Sequence, residues 1–240
     1  MLDHGTRKGR TQIVMADLTL QKLLKDGAAG LGLALSARQQ EQLLGLADEL
    51  LDWNTRFNLT AIREPRDVIT RHLLDSLSVQ PHLGGRSAAD IGTGAGFPGL
   101  PLAIINPERH FALIEATGKK AKFVEHAAGK LGVANVQVVN ARAEKWRPER
   151  PFDSVISRAL GSLEDFVRFA GPLCAPGGRL LAMKGQYPEQ EIAEIPRSWR
   201  VVAVPRLEVP GLDAQRHLVI LQRSADVILQ RTADVAAGSR

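Results

Sequence analysis

Asp90-Ile91-Gly92-Thr93-Gly94-Ala95-Gly96-Phe97-Pro98-Gly99 is the stretch that decides the fold of this 240-residue chain. A short apolar run at 88–91 leads into it, and helical spacing resumes near Pro98, so it reads as strand, glycine-rich turn and helix. Glycines at 92, 94 and 96 suit a backbone that turns tightly with positive φ and lets a ligand approach where a Cβ would block it. They equally suit a helix packed closely on a strand. Glu115 closes the next apolar run, where a carboxylate accepts hydrogen bonds from both hydroxyls of an unblocked ribose. The loop therefore reads as a cradle for a nucleoside-bearing cofactor.

Outward from this loop, short apolar runs alternate with helical patterns, the signature of βαβ units and a parallel sheet. Strands are expected at 88–91, 111–115, 136–139, 154–157, 180–183, 201–204 and 217–221. A helix is expected over 118–131, with Ala121, Val124, Ala128 and Leu131 facing inward and Gly132 ending it. Lys119, Lys120, Lys122 and Lys130 lie along it, as a solvated face or as an RNA contact. Upstream, Ser36-Ala37-Arg38-Gln39 reads as a capping box opening a helix marked by Leu43, Leu46, Ala47, Leu50 and Leu51. Glu64-Pro65-Arg66-Asp67 opens another, expected to run to about Val79. His72 and Asp75 share a face of it, as a hydrogen-bonded pair locking the helix or as substrate contacts.

The expected organisation is an extension at 1–15, disordered; helices over 16–84 packed on the core; a main domain over 85–223; and a tail over 224–240. That tail completes a duplication, Ile220-Leu221-Gln222-Arg223-Ser224-Ala225-Asp226-Val227 followed by Ile228-Leu229-Gln230-Arg231-Thr232-Ala233-Asp234-Val235. The net charge of +5 suits a polyanionic partner without identifying one. A single cysteine, Cys174, rules out a disulfide framework or thiolate zinc cluster within one chain, and a reducing cytoplasm fits. No run approaches the roughly 18 apolar residues of a membrane span. The expected protein is a cytoplasmic monomer without metal.

Two cofactors satisfy the glycine pattern, a nicotinamide dinucleotide and S-adenosylmethionine, and the flanks favour the second. An acid directly before the glycines, Asp90, suits a cationic amino acid end better than a pyrophosphate. Asn140-Ala141-Arg142-Ala143-Glu144 follows the third strand, where a polar side chain can reach an adenine. With 152–158 and the turn and strand over 176–185, these positions resemble a class I methyltransferase. Asp153 reads more simply as part of a surface salt bridge, whereas Arg158 lies nearer the crevice.

Several further words, in order, are similar to one family, the glucose-inhibited division protein B group. They are Trp53-Asn54, Asn58-Leu59-Thr60-Ala61, Arg71-His72-Leu73-Leu74-Asp75-Ser76-Leu77, the 90–101 loop, Gly118-Lys119-Lys120, Arg142-Ala143-Glu144, Ser157-Arg158-Ala159 and Lys184-Gly185. The resemblance spans about three quarters of the chain. It implies a class I S-adenosylmethionine-dependent methyltransferase fold, Rossmann-like, with a seven-stranded mostly parallel sheet and an N-terminal helical extension. It further implies guanine-N7 methylation of 16S ribosomal RNA, free or in the small subunit. Cofactor contacts are expected at Asp90, Gly92, Gly94, Gly96, Phe97, Ala143, Glu144 and Arg158, with Glu115 on the ribose. Arg158, Lys184, His72 and Asp75 are expected to position the substrate, and Asn58, Arg71, Lys119, Lys120 and Lys184 to touch RNA.

Guanine N7 carries a lone pair and no proton, so no residue need act as a base. The target must be a loop base, because the A-form major groove hides N7 from side chains. Phe97 is the stacking partner the sequence offers for that base. Three rivals stay open: a methyltransferase of another RNA, protein or small molecule; a nicotinamide-dependent oxidoreductase; and a non-catalytic nucleotide-binding module.

Overall fold

The computed structural model describes residues 17–158 and 161–224. The expected extension at 1–15 and the duplication beyond Ser224 lie outside the described residues. The first helix, α1 (Leu18–Gly30), is opened by the Asp17 carboxylate, which accepts from the Thr19 and Leu20 amides at 2.8 and 3.4 Å. The capping box then forms as expected: the Ser36 amide donates to Gln39 Oε1 at 2.9 Å and the Gln39 amide to Ser36 Oγ at 3.2 Å. It starts α2 (Ala37–Phe57), which ends at Asn58 in the left-handed region.

The helix expected over 65–79 is not a regular α-helix. It begins as α3 (Pro65–Val68), widens into a π turn (Ile69–Leu74) and tightens again as α4 (Asp75–Leu77). Val68, Ile69, Leu73, Leu74 and Leu77 are all buried across it, so the helix keeps its inward face through the widened turn. Such bulges recur at functional sites because they re-aim the residues around them. Here those residues include Arg71, His72 and Asp75.

Seven strands follow, β1 (Ser87–Ile91), β2 (His110–Ile114), β3 (Val136–Val139), β4 (Phe152–Ser157), β5 (Cys174–Lys184), β6 (Trp199–Ala203) and β7 (His217–Arg223). All fall where the apolar runs put them, with β5 beginning at Cys174 rather than residue 180. They form one sheet ordered β3-β2-β1-β4-β5-β7-β6, parallel except that β7 runs antiparallel to β5 and β6. The order reverses between β1 and β4, and in an open α/β sheet such a reversal opens a crevice at the carboxyl ends of the strands.

Side-chain alternation builds a core on each face. Phe111 and Leu113 of β2 join the first, Ala112 and Ile114 the second. The first is covered by α2, α5 (Gly99–Ile105) and α6 (Gly118–Lys130), the second chiefly by α7 (Leu163–Ala170), with α8 (Glu189–Ala193) beside it. The buried stripe of α6 is Ala121, Phe123, Val124, Ala127 and Ala128; Phe123, fully buried, meets Trp53 of α2 edge-on at 5.5 Å. Glu49 of α2, itself buried, accepts from His126 at 2.7 Å and pairs with Lys130. Lys130 therefore ties two helices together rather than joining the solvated lysine face. No helix among the described residues is long and apolar enough to cross a membrane.

Candidate cofactor cradle and substrate cleft

The loop from β1 to α5 carries Gly92, Gly94 and Gly96 at φ values of 67°, 61° and 88°. At Gly94 a Cβ would meet nothing nearer than the Gly92 carbonyl oxygen, 4.0 Å away, so the position is held by its φ and opens onto free space. Gly99 supplies close packing: a Cβ there would lie 2.1 Å from Leu113 Cδ2 and 2.9 Å from Asp90 Oδ2. Of the three glycines read from the sequence, Gly96 is the one packed against the following helix, where a Cβ would lie 2.5 Å from Leu100 Cδ1.

Two acids frame the cradle. Asp90 is fully buried; its Oδ2 accepts from the Thr93 hydroxyl at 2.6 Å and the Gly99 amide at 2.8 Å, while its buried Oδ1 has no partner. Burial pushes this carboxyl up to about 6, against the pull of those two bonds and the Arg158 charge. Glu115, just past β2, accepts from the Gly94 amide at 2.9 Å and the Thr117 amide at 2.7 Å, one on each oxygen. An ionised carboxylate has about four acceptor positions, so each oxygen retains one for a sugar hydroxyl. Asn140 donates to the Glu115 carbonyl at 2.8 Å and so fastens the end of β3 to the end of β2. Beyond it Ala143 is buried and Glu144 exposed, 3.9 Å from Arg142.

These features fit S-adenosylmethionine. An unsatisfied buried acceptor awaits a donor such as the cofactor's amino group, the bare Gly94 leaves room, and Glu115 has capacity for a ribose.

Arg158, directly after β4, organises the neighbouring wall. Its NH1 donates to Asp75 Oδ2 at 3.3 Å and the Arg71 carbonyl at 3.2 Å, and its NH2 to His72 Nδ1 at 3.2 Å. A guanidinium only donates, so Nδ1 accepts and the ring proton sits on Nε2, 3.0 Å from Thr60 Oγ1. Burial first, and then the Arg158 charge, hold His72 down at about 3, so the imidazole is neutral. Asn54, buried at the end of α2, sets Thr60 in place by accepting its amide at 3.0 Å and donating to the Ile62 carbonyl at 3.3 Å. Asp75, 1% exposed, gives its other oxygen to Arg216 Nε at 2.6 Å. His72 and Asp75 are thus joined through Arg158 rather than to each other.

Phe97 is corrected as a stacking platform for RNA. It is 3% exposed, and its ring lies on His72 with centroids 4.6 Å apart and planes 19° from parallel, so it backs the cleft from inside. Lys184 points at Glu191, 2.8 Å away, and at the Gly161 carbonyl, also at 2.8 Å; the same carboxylate caps α7 through the Leu163 amide. Among the described residues Asp153 forms no ion pair of the expected kind: at the far end of β4 it accepts from the Arg86 and Ser87 amides, fixing the start of β1.

Ile62, Arg71, His72, Asp75, Arg158, Met183, Lys184, Gly185 and Arg216 line a cleft of about 280 Å³. Five of the residues expected to position substrate or touch RNA, Arg71, His72, Asp75, Arg158 and Lys184, converge here. Asn58, Lys119 and Lys120 are not in its wall. Arg216, which sequence reading missed, is; its only signal was a basic residue directly before the last strand.

The reversed strand order, the glycine cradle framed by two acids and the adjoining cationic cleft define a class I S-adenosylmethionine-dependent methyltransferase. Solved structures agree on the fold: a SAM-dependent methyltransferase from Aquifex aeolicus superposes with a TM-score of 0.53 at 18% identity, covering 68% of this chain and 96% of that one. TrmN from Thermus thermophilus gives 0.53 at 20% identity, covering 71% and 53%. The family described as rRNA small subunit methyltransferase G, GidB, matches residues 39–219. Ribosomal RNA small subunit methyltransferase G of Aromatoleum aromaticum is 52% identical over 206 residues, 84% of this chain and 98% of that relative. Its counterpart in Azoarcus sp. is 50% identical over 201 residues, 83% and 95%. The chain belongs to the GidB family.

Proposed function

We infer that this chain, acting as a cytoplasmic monomer, methylates N7 of a loop guanine in the RNA of the small ribosomal subunit. The observation that carries the reading is the state of the cleft's titratable groups. Both ring nitrogens of His72 are engaged and the ring is neutral; both oxygens of Asp75 are held by guanidinium groups. Neither is free to take a proton from a nucleophile. Guanine N7 has none to lose, so the substrate matches a cleft that positions rather than deprotonates. Cationic Arg71, Arg158, Lys184 and Arg216 in the cleft wall suit RNA phosphate.

In this reading Asp90 receives the amino group of S-adenosylmethionine, Glu115 holds its ribose and Gly94 leaves its path open. The bound cofactor supplies an electrophilic methyl group. Arg158 fixes the wall against which the base lies, and its hold on His72 and Asp75 keeps that wall rigid before the RNA arrives. Orientation of this kind supplies several kcal/mol of a displacement barrier. A small-molecule substrate is disfavoured by a cleft walled with cations. The test is nucleoside mass spectrometry of small-subunit RNA from cells with and without the gene. Loss of 7-methylguanosine in its absence supports the reading; an unchanged profile overturns the substrate assignment.

A further inference from the structure

A guanine that enters the cleft must leave the RNA stack, and the nucleotide beside it loses a neighbour. Phe97 is buried under His72 and cannot replace that neighbour. Among the described residues, two aromatic side chains are prominently exposed, Phe57 and Tyr187. Phe57 is 38% exposed, but its ring is already met by Trp53 at 5.2 Å and by the Arg56 guanidinium at 5.8 Å. Tyr187 is 54% exposed, and its ring contact is with His217, the residue after Arg216 of the cleft wall.

Tyr187 follows closely on Lys184 and Gly185, both in the cleft wall. Its ring meets His217 at 5.8 Å with planes 88° apart. His217 directly follows Arg216 of the same wall, and its Nδ1 donates to the Gly185 carbonyl at 2.9 Å. The histidine is thereby pinned to the segment that carries the tyrosine. A perpendicular contact covers at most one face of the tyrosine ring, which is 54% exposed and lies two residues beyond Gly185 of the cleft wall.

We propose that Tyr187 stacks the unpaired base next to the target guanine, holding the RNA strand at the cleft mouth while the target occupies the cleft. This rests on the substrate reading above and adds a substrate-binding contact to it. Every base has a π face, so the contact fixes the position of the strand rather than its sequence. Removing a base–aromatic stack weakens binding by roughly five- to a hundredfold.

The test is steady-state methylation of purified small subunits by wild type, Tyr187→Ala, Tyr187→Phe and Tyr187→Trp, with cofactor affinity and Tm measured alongside. Tyr187→Ala is expected to raise KM for the subunit by roughly five- to a hundredfold, with kcat, cofactor affinity and Tm close to wild type, and Phe and Trp are expected to restore KM. An unchanged KM in Tyr187→Ala overturns the proposal. Failure of Phe to rescue also overturns it, since the hydroxyl rather than the ring would then matter. If wild type itself leaves small-subunit RNA unmethylated, the substrate reading fails instead, and the two outcomes are distinguishable.

Discussion

Arg158→Met removes every donor that Asp75, His72 and the Arg71 carbonyl share, while keeping much of the side-chain volume. Asp75, 1% exposed, is left with Arg216 alone, and His72 Nδ1 is left without a donor. Deleting one partner of a buried ion pair costs about 3–5 kcal/mol. Because the Arg158 side chain is 25% exposed, water partly replaces it, and about 2–3 kcal/mol is expected. In a chain of this size that is a Tm lower by roughly 4–12 °C. The titration of His72 changes too. Its pKa is depressed from 6.5 to about 3, so its contribution to stability is present above 6.5 and lost as pH falls toward 3. Without the guanidinium its pKa rises, though burial still keeps it below 6.5, and the acid-dependent loss becomes smaller. Thermal unfolding at pH 7.5 and 5, with NMR titration of the ring, measures both effects. A Tm within about 1 °C of wild type and an unmoved His72 titration would refute the reasoning.

Gly94→Ala and Gly99→Ala separate cradle from packing. The first should cost only about 1–2 kcal/mol of stability yet abolish measurable cofactor binding by calorimetry, because its methyl group enters open space at positive φ. The second should cost about 2–4 kcal/mol by denaturant unfolding, since its methyl group meets Leu113 and Asp90. The Asp90 carboxyl, raised to about 6 by burial, pairs with a protonated amino group only when ionised, so cofactor affinity should be highest between about pH 7 and the titration of the cofactor's own α-amino group, at about 8. Below pH 6 it should fall by up to about tenfold per pH unit, a fall that Asp90→Asn removes. Glu49→Gln, which leaves His126 and Lys130 without their carboxylate, should lower stability by about 1–2 kcal/mol without changing cofactor affinity, as seen by paired unfolding and binding measurements.

The fold was legible because its signals are local: apolar runs mark all seven strands, and a capping box marks α2. The cradle was legible for the same reason, since Asp90, the glycines and Glu115 sit at strand ends that the alternation of strands and helices already places. The π turn escaped because the buried positions through it, Ile69, Leu73 and Leu77, still keep the spacing of four that an α-helix would show. Arg216 escaped because β7 is inserted antiparallel beside β5, and nothing in the local sequence states which strands become neighbours. The role of Phe97 was misjudged for a related reason: whether an aromatic is exposed depends on what packs over it, here His72 from a distant helix.

The most direct test incubates the purified protein with methyl-labelled S-adenosylmethionine and small ribosomal subunits from cells lacking the gene, then digests the RNA and locates the label. Close to one label per subunit is expected, recovered as 7-methylguanosine from a single loop nucleotide. Label on another atom, on ribosomal protein, or absent despite tight cofactor binding would contradict methylation of guanine N7 by this chain.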